Sequence, residues 1–440
     1  MTTLKRHLPL LVACLLVALA TPPAAAAAPG MRVGAAEDDA KIVDLVTATA
    51  KLDLARLAGL DTIRMTAIWR PGDSEIQGDR LLQLQVAAAA ANLTGIQIIL
   101  SVYQHGGKTT PRTPGARADF AAWTASIARR VPTIRSFIIG NEPNLNRFWM
   151  PQFNRDGSSA SPGAYLGLLA QTYDVLKGVS ADIEVIGGSV SPRGADNPRG
   201  RRQTHSPVRF MRELGRAYRA SARDRPVMDA FAFHPYGDNS SQPPEFPHPR
   251  TTTIGLADYP KLVLLLHETF QGTPQEGLTL PIVYDEYGVD SSIPSTKRTA
   301  YTGLEPATTK PVGELRQGAY YTRAIEIAAC QPTVKALLLF HVSDEPELDR
   351  WQSGVYYADD TPKASLPMVR DAIDRLRGGT LTPCQRVQAS LDQALAVQLA
   401  KPGPAVIVAT LPAVPPFAPP PPPAPPVSAV APTPLDPSVP

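Results

Sequence analysis

Cysteine is scarce. Cys14, Cys330 and Cys384 are the only three in 440 residues. So few exclude a fold stapled by several disulfides, and the chain must hold together by burying a core. Charge of one sign is also lacking. The 43 Lys and Arg against 40 Asp and Glu leave a formal net charge of +3, with no long basic block, so the electrostatics do not point to nucleic acid. The apolar run near the N-terminus, Leu8–Ala20, is too short to span a bilayer comfortably, and no second apolar anchor or sortase-type signal follows later. No Gly-x-Gly-x-x-Gly stands after the first strand-like run, which removes the usual phosphate cradle of an open doubly wound sheet.

What is present begins with the two ends. Lys5, Arg6 and His7 precede the apolar run, and Thr21–Ala28 is rich in Ala and Pro with several small-x-small cleavage choices, so residues 1–28 read as a secretion signal. Leu11–Cys14, LVAC, has the look of a bacterial lipoprotein box. Cutting there would leave Leu15–Ala20 apolar and exposed, so simple export is the preferred reading. At the other end about half of the residues from Pro412 to Pro440 are proline, with Pro419–Pro423 in a row. Proline supplies no amide donor and favours extended polyproline II, so 412–440 is expected to be a disordered, stiff spacer. The expected location is extracellular or associated with a bacterial cell wall, the tail providing the association. Residues 385–411 are left as a short extension.

Between residue 29 and residue 384 one alternation repeats. Short runs rich in Ile and Val are followed by longer amphipathic or Ala/Leu-rich segments. The runs lie at Met31–Ala36, Thr62–Trp69, Ile96–Tyr103, Ile134–Gly140, Glu184–Ser189, Met228–His234, Ile282–Asp285 and Val334–Phe340. A helix fits each gap: Asp38–Ala58, Asp79–Ala91, Ala116–Arg130, Pro162–Lys177, Pro207–Ser221, Leu256–Phe270 and Gly313–Ala329, with Lys363–Leu376 after the last strand. Ser161-Pro162 and Ser206-Pro207 each look like a cap residue before a proline at the first helical position. Eight such units predict an α/β fold, a closed (β/α)8 TIM barrel, with the strands' C-terminal ends carrying the site. Cys330 ends the seventh helix and Cys384 follows the eighth. Both should lie on the opposite, stabilising face, which favours a disulfide there over two separate thiols.

Two of the apolar runs end in a carboxylate. FIIGNEPN, Phe137–Asn144, presents Glu142 at the tip of the fourth strand, and PIVYDEYGVDSS, Pro281–Ser292, presents Glu286 at the tip of the seventh. These strands face each other across a barrel mouth. Two Glu side chains reaching inward there can approach to about 5–5.5 Å, the separation that retaining glycoside hydrolysis needs. That chemistry requires one carboxyl to hold a proton for the leaving oxygen while the other stays ionised, a division that burial and mutual repulsion can impose.

The Asn-Glu-Pro at the fourth strand and the Glu-Tyr-Gly at the seventh resemble the clan A retaining glycoside hydrolases, in the style of family 39 or family 5. The resemblance covers about Gly30–Leu376. It implies a glycosidase that cleaves O-glycosidic bonds of a poly- or oligosaccharide by double displacement, with no cofactor and no metal. It implies Glu142 as acid/base, Glu286 as nucleophile and Asn141 as the partner of the sugar 2-hydroxyl. FAFHPYG, Phe231–Gly237, resembles the strand-six segment of the clan, which would put His234 beside the sugar and the Tyr236 hydroxyl on the nucleophile. TIRMTAIW, Thr62–Trp69, resembles its strand-two segment, which makes Arg64 the support of the nucleophile. The chain departs from the clan at strand eight, where many members place a Trp platform under the reactive sugar. Here LLLFHVSDEPELDRW puts Phe340 and His341 at the tip and Trp351 ten residues beyond it.

Blander readings stand beside these. Glu142 alone would serve as a helix cap, His234 alone as a core histidine, and Arg64 as a buried ion-pair partner. Strand alternation turns Asp285 away from Glu286, towards a structural role. Trp149, Phe148 and Trp351 are candidates for stacking on a sugar face or for packing their own loops. His234, His341, Asp344 and Glu345 match no metal-ligand spacing. Ser191–Pro207, with Arg193, Arg199, Arg201 and Arg202, is a solvated loop or a contact for an acidic glycan. A barrel that binds carbohydrate without turnover, or one that remodels glycans by transglycosylation, would share these residues.

Overall fold

The computed structural model describes residues 28–404. Nearly all of the expected signal and the whole of the Pro-rich tail lie outside the described residues. Eight parallel strands close into one barrel in chain order. They are β1 (Arg32–Ala36), β2 (Thr62–Trp69), β3 (Gln97–Gln104), β4 (Ser136–Ile139), β5 (Glu184–Val190), β6 (Ala230–Phe233), β7 (Ile282–Tyr287) and β8 (Val334–Phe340). A helix follows each: α1 (Leu45–Leu57), α2 (Gly78–Thr94), α3 (Pro114–Arg130), α4 (Ser161–Val179), α5 (Pro207–Ala220), α6 (Tyr259–Phe270), α7 (Glu314–Ala329) and α8 (Leu366–Arg377). The expected barrel is therefore the fold found. Among the described residues no helix is long and apolar enough to cross a membrane.

The strands are buried on both faces, as parallel strands under a ring of helices must be. Ile99, Ile138, Ile186, Ala232, Val283 and Leu338 pack together inside the barrel, while the larger apolar shell fills the space between sheet and helices. At the barrel floor Lys335 of β8 pairs with Glu184 of β5.

Three local expectations fail for identifiable reasons. Helix α1 starts at Leu45 instead of Asp38, because the Asp44 side chain accepts from the Thr47 amide at 2.8 Å and sets the first turn there. That leaves Glu37 and Asp38 on the rim above β1. Ser161 does not cap α4. It is the helix's first residue, and its hydroxyl donates to Gln152 Oε1 at 3.1 Å. Ser206 does cap α5, accepting from the Arg209 amide. Finally, the extension contains a ninth helix, α9 (Cys384–Ala400), which the alternation of strand and helix did not announce.

Cys330 and Cys384 form a disulfide across 54 residues of sequence, tying the end of α7 to the start of α9. Closing a loop of that length removes unfolded-state entropy. The double variant Cys330→Ala/Cys384→Ala is expected to lose about 2–4 kcal/mol of unfolding free energy. Urea denaturation of the two proteins, compared under oxidising conditions, measures that loss.

Candidate active site

The strands' C-terminal ends surround a cavity of about 740 Å³, within the range of small-molecule sites. Glu142, Glu286, Asn141, Arg64, Tyr236 and Trp351 all line it.

Glu142 is aimed by its backbone. Gly140 follows β4 directly with φ of 93°, where a Cβ would meet the Tyr165 ring at 2.9 Å. The Tyr165 hydroxyl donates to Ile139 O and accepts from the Gly188 amide, both at 2.7 Å, and so locks the tips of β4 and β5 together. The next residues adopt strained conformations: φ is 39° at Glu142 and 49° at Ser189, joined by a 2.8 Å bond from the Glu142 amide to Ser189 O. Non-glycine residues in that region cost on the order of 1–3 kcal/mol each and persist only where the surroundings enforce them.

Glu286 is held by two donors. Arg64 Nη1 donates to its Oε1 at 2.7 Å and the Tyr236 hydroxyl to its Oε2 at 3.1 Å. Arg64 also donates through Nη2 to Asn141 Oδ1 at 2.7 Å and to Ser101 at 3.1 Å, and its Nε lies 3.3 Å from Asp285. Burial alone would lower the pKa of this guanidinium. The charges of Glu286 and Asp285 more than offset that and raise it above its ordinary value.

Asp285 corrects the alternation argument. It faces inward alongside Glu286, because β7 carries a bulge: Tyr284 pairs with Leu337 and Tyr287 with Leu339, one residue too many on the β7 side. Asp285 is fully buried and accepts from Ser189 at 2.8 Å. Burial would raise its pKa, but the charges of His234 and Arg64 and its hydrogen bonds lower it.

His234 lies between the carboxylates. Its Nδ1 is 3.0 Å from Glu142 Oε1 and 3.3 Å from Glu286 Oε2. Its Nε2 is 3.0 Å from Ser189 Oγ and 3.3 Å from Asp285 Oδ2. Burial would push the imidazole down; Glu286, Asp285 and hydrogen bonds to Asp285 and Glu142 instead lift it from 6.5 to about 10. A raised pKa in the folded state stabilises the fold fully below the unfolded value, and that stabilisation fades as pH climbs through the folded value. The stability gap between wild type and His234→Gln is therefore expected to be widest below pH 6.5 and to close towards pH 10, as denaturant titrations across that range would measure.

Trp351 reaches the cavity from the loop after β8, its ring centroid 5.2 Å from Tyr236 and 5.1 Å from Phe340. Trp149 does not reach it. Its side chain is 1% exposed and packs edge-on against Tyr165 in the outer core. Its neighbour Phe148 faces the cavity instead, since the turn that buries one ring presents the other. Of the basic loop's four arginines only Arg193 lines the cavity, where it bonds Gly237 O and pairs with Asp238; Arg199, Arg201 and Arg202 do not line it. Asp344 is taken by Lys363 at 2.7 Å, both fully buried, so it does not join His234 and His341.

Sequence reasoning missed Ser189 and Glu37. The signal for Ser189 was the Gly187-Gly188 pair within β5, since glycine inside a strand marks a bulge, and the register of β5 against β6 does shift there. Glu37 had the same signal as Glu142, a carboxylate directly after an apolar strand.

No protein-family profile matches this chain, and no curated protein matches it in sequence. Solved structures do match in shape. GH5_18 from Streptomyces cattleya in complex with GlcNAc aligns with a TM-score of 0.54 at 15% identity, over 81% of this chain and 82% of that one. A variant of it in complex with Manb1-4GlcNAc aligns at 0.53 and 14% identity, over 80% and 82%. A calcium-binding mutant of Bacteroides uniformis beta-glucuronidase 2 aligns at 0.50 and 15% identity, over 78% of this chain but only 34% of that longer one. At such identities the likeness is one of fold alone.

Proposed function

We propose that this protein is an exported retaining glycoside hydrolase acting on a poly- or oligosaccharide. The observation that carries the reading is the placement of one nitrogen, His234 Nδ1, at 3.0 Å from Glu142 and 3.3 Å from Glu286. The two facing oxygens can be no farther apart than those distances end to end. So close an approach of the facing oxygens supports a retaining pair, whose carboxyl groups lie about 5–5.5 Å apart.

In the proposed reaction Glu286, oriented by Arg64 and Tyr236, attacks the anomeric carbon. Glu142 gives its proton to the departing oxygen. A glycosyl ester on Glu286 results, and Glu142 then takes a proton from water as that water releases the sugar. Asn141 has its amide oxygen engaged by Arg64, which orients its amide nitrogen as a donor for the sugar 2-hydroxyl. Trp351 supplies the apolar face under the sugar, in place of a Trp at the tip of β8. The basic and Pro-rich ends of the sequence support export and a wall-facing spacer.

A 2-deoxy-2-fluoroglycoside with an activated leaving group is expected to add one sugar to Glu286, detected by peptide mass spectrometry. A screen of aryl glycosides and soluble polysaccharides names the sugar first. Label on another residue, or none from any sugar that the protein cleaves, would reject this mechanism.

A further inference from the structure

His341 lines the cavity but has no part in the proposed chemistry. It follows β8 with φ of 95°, a backbone conformation that side chains of its bulk rarely adopt. Its Nδ1 lies 3.6 Å from Glu37 Oε2 above β1, and its Nε2 lies 3.8 Å from Glu345 Oε2 in the loop after β8. Burial would lower the imidazole pKa; the neighbouring Glu37 carboxylate, then the charges of Glu345 and Glu286, raise it to about 9. At neutral pH a cation therefore lies between two carboxylates.

The two carboxylates are anchored differently. Glu37 is fixed to the barrel rim, accepting from the amides of Asp38 at 2.8 Å, Asp39 at 3.2 Å and Val342 at 3.2 Å. Glu345 instead grips Trp351. Its Oε2 accepts from the Trp351 amide at 3.2 Å, and its own amide donates to Trp351 O at 3.0 Å. Its Oε1 accepts from Arg350 at the cavity edge. The remainder of the loop has separate anchors, Lys363 on Asp344 at 2.7 Å and the Gln352 amide on Asp290 at 2.7 Å.

We propose that Glu37, His341 and Glu345 form an electrostatic strut from the rim of β1 to the backbone of Trp351, and that His341 is a positioning residue for that ring. Without the imidazolium, Glu37 and Glu345 face each other as like charges. Glu345 then turns towards Arg350 and lets Trp351 go, while the Lys363 and Asp290 anchors keep the rest of the loop in place. Only the consequence for a sugar rests on the glycosidase reading; the strut itself does not.

The chain carries four Trp, and Trp69, Trp123 and Trp149 are 0–1% exposed. Emission that acrylamide quenches therefore reports on Trp351. His341→Gln is expected to raise the quenching constant on the order of twofold, as a local opening would. It should also raise KM for a cleaved glycoside roughly tenfold while kcat changes less than about twofold. His341→Lys, which restores the charge, should return quenching towards wild type. An unchanged quenching constant in His341→Gln overturns the strut. A rise that His341→Lys leaves in place assigns the effect to ring shape and overturns its electrostatic basis. If the wild type cleaves no glycoside, the glycosidase reading falls, and the quenching series still decides the strut.

Discussion

Glu286→Ala is expected to abolish turnover, with kcat falling on the order of 10⁵-fold, because the variant has no group to form the glycosyl ester. The fold should survive. Arg64 loses one partner but keeps Asp285 at 3.3 Å, Asn141 at 2.7 Å and Ser101 at 3.1 Å, so no buried charge is left alone. The alanine opens a space beside the anomeric carbon on the face that Glu286 occupied. Azide entering that space should restore cleavage of an activated glycoside and give a glycosyl azide of inverted configuration, because only one displacement takes place. Product stereochemistry by NMR is the measurement. Full activity on a natural glycan, or an azide product of retained configuration, would take the nucleophile's role from Glu286.

Glu142→Ala should behave differently, and the contrast tests the assignment more sharply than either variant alone. General acid catalysis contributes about 10²–10⁴-fold, and most where the leaving group is a poor one. Natural glycans and alkyl glycosides should therefore slow by roughly 10³-fold. A dinitrophenyl glycoside needs no proton to depart, so its first step should remain fast and the glycosyl-enzyme should accumulate as a burst. Azide then attacks that intermediate without help from a base, and two displacements give an azide of retained configuration. If the two stereochemical outcomes were exchanged between the variants, the roles of Glu142 and Glu286 would be exchanged as well. Equal slowing of good and poor leaving groups by Glu142→Ala would remove it from proton transfer.

Much of this was legible because barrel strands are short and apolar on both faces. A carboxylate after such a run has no place except the rim, which is why Glu142 and Glu286 stand out from the other acidic residues. Asp285 was misread because strand alternation assumes a regular strand, whereas the sequence leaves Trp149 open between stacking on a sugar and packing its own loop. Alternation holds only while the ladder is in register, and the bulge in β7 brings two neighbouring carboxylates to the same side. Phe148 and Trp149 are adjacent in a loop, and no periodicity says which ring is buried. The start of α1 was misplaced because Asp38 and Asp44 both look like caps, and only the Asp44 carboxylate meets the amide three residues on.

The order of strands, the closure of the barrel and the identity of the rim carboxylates follow from the pattern of apolar runs, since that pattern states which segments must leave water. What only the tertiary structure decided is how charge is balanced beneath them. His234, Arg64, Ser189 and Asp285 come from four different strands or strand ends and meet in a space closed to solvent. Electrostatic interaction there depends on distances of about 3 Å and on burial, and neither quantity is carried by spacing along a chain.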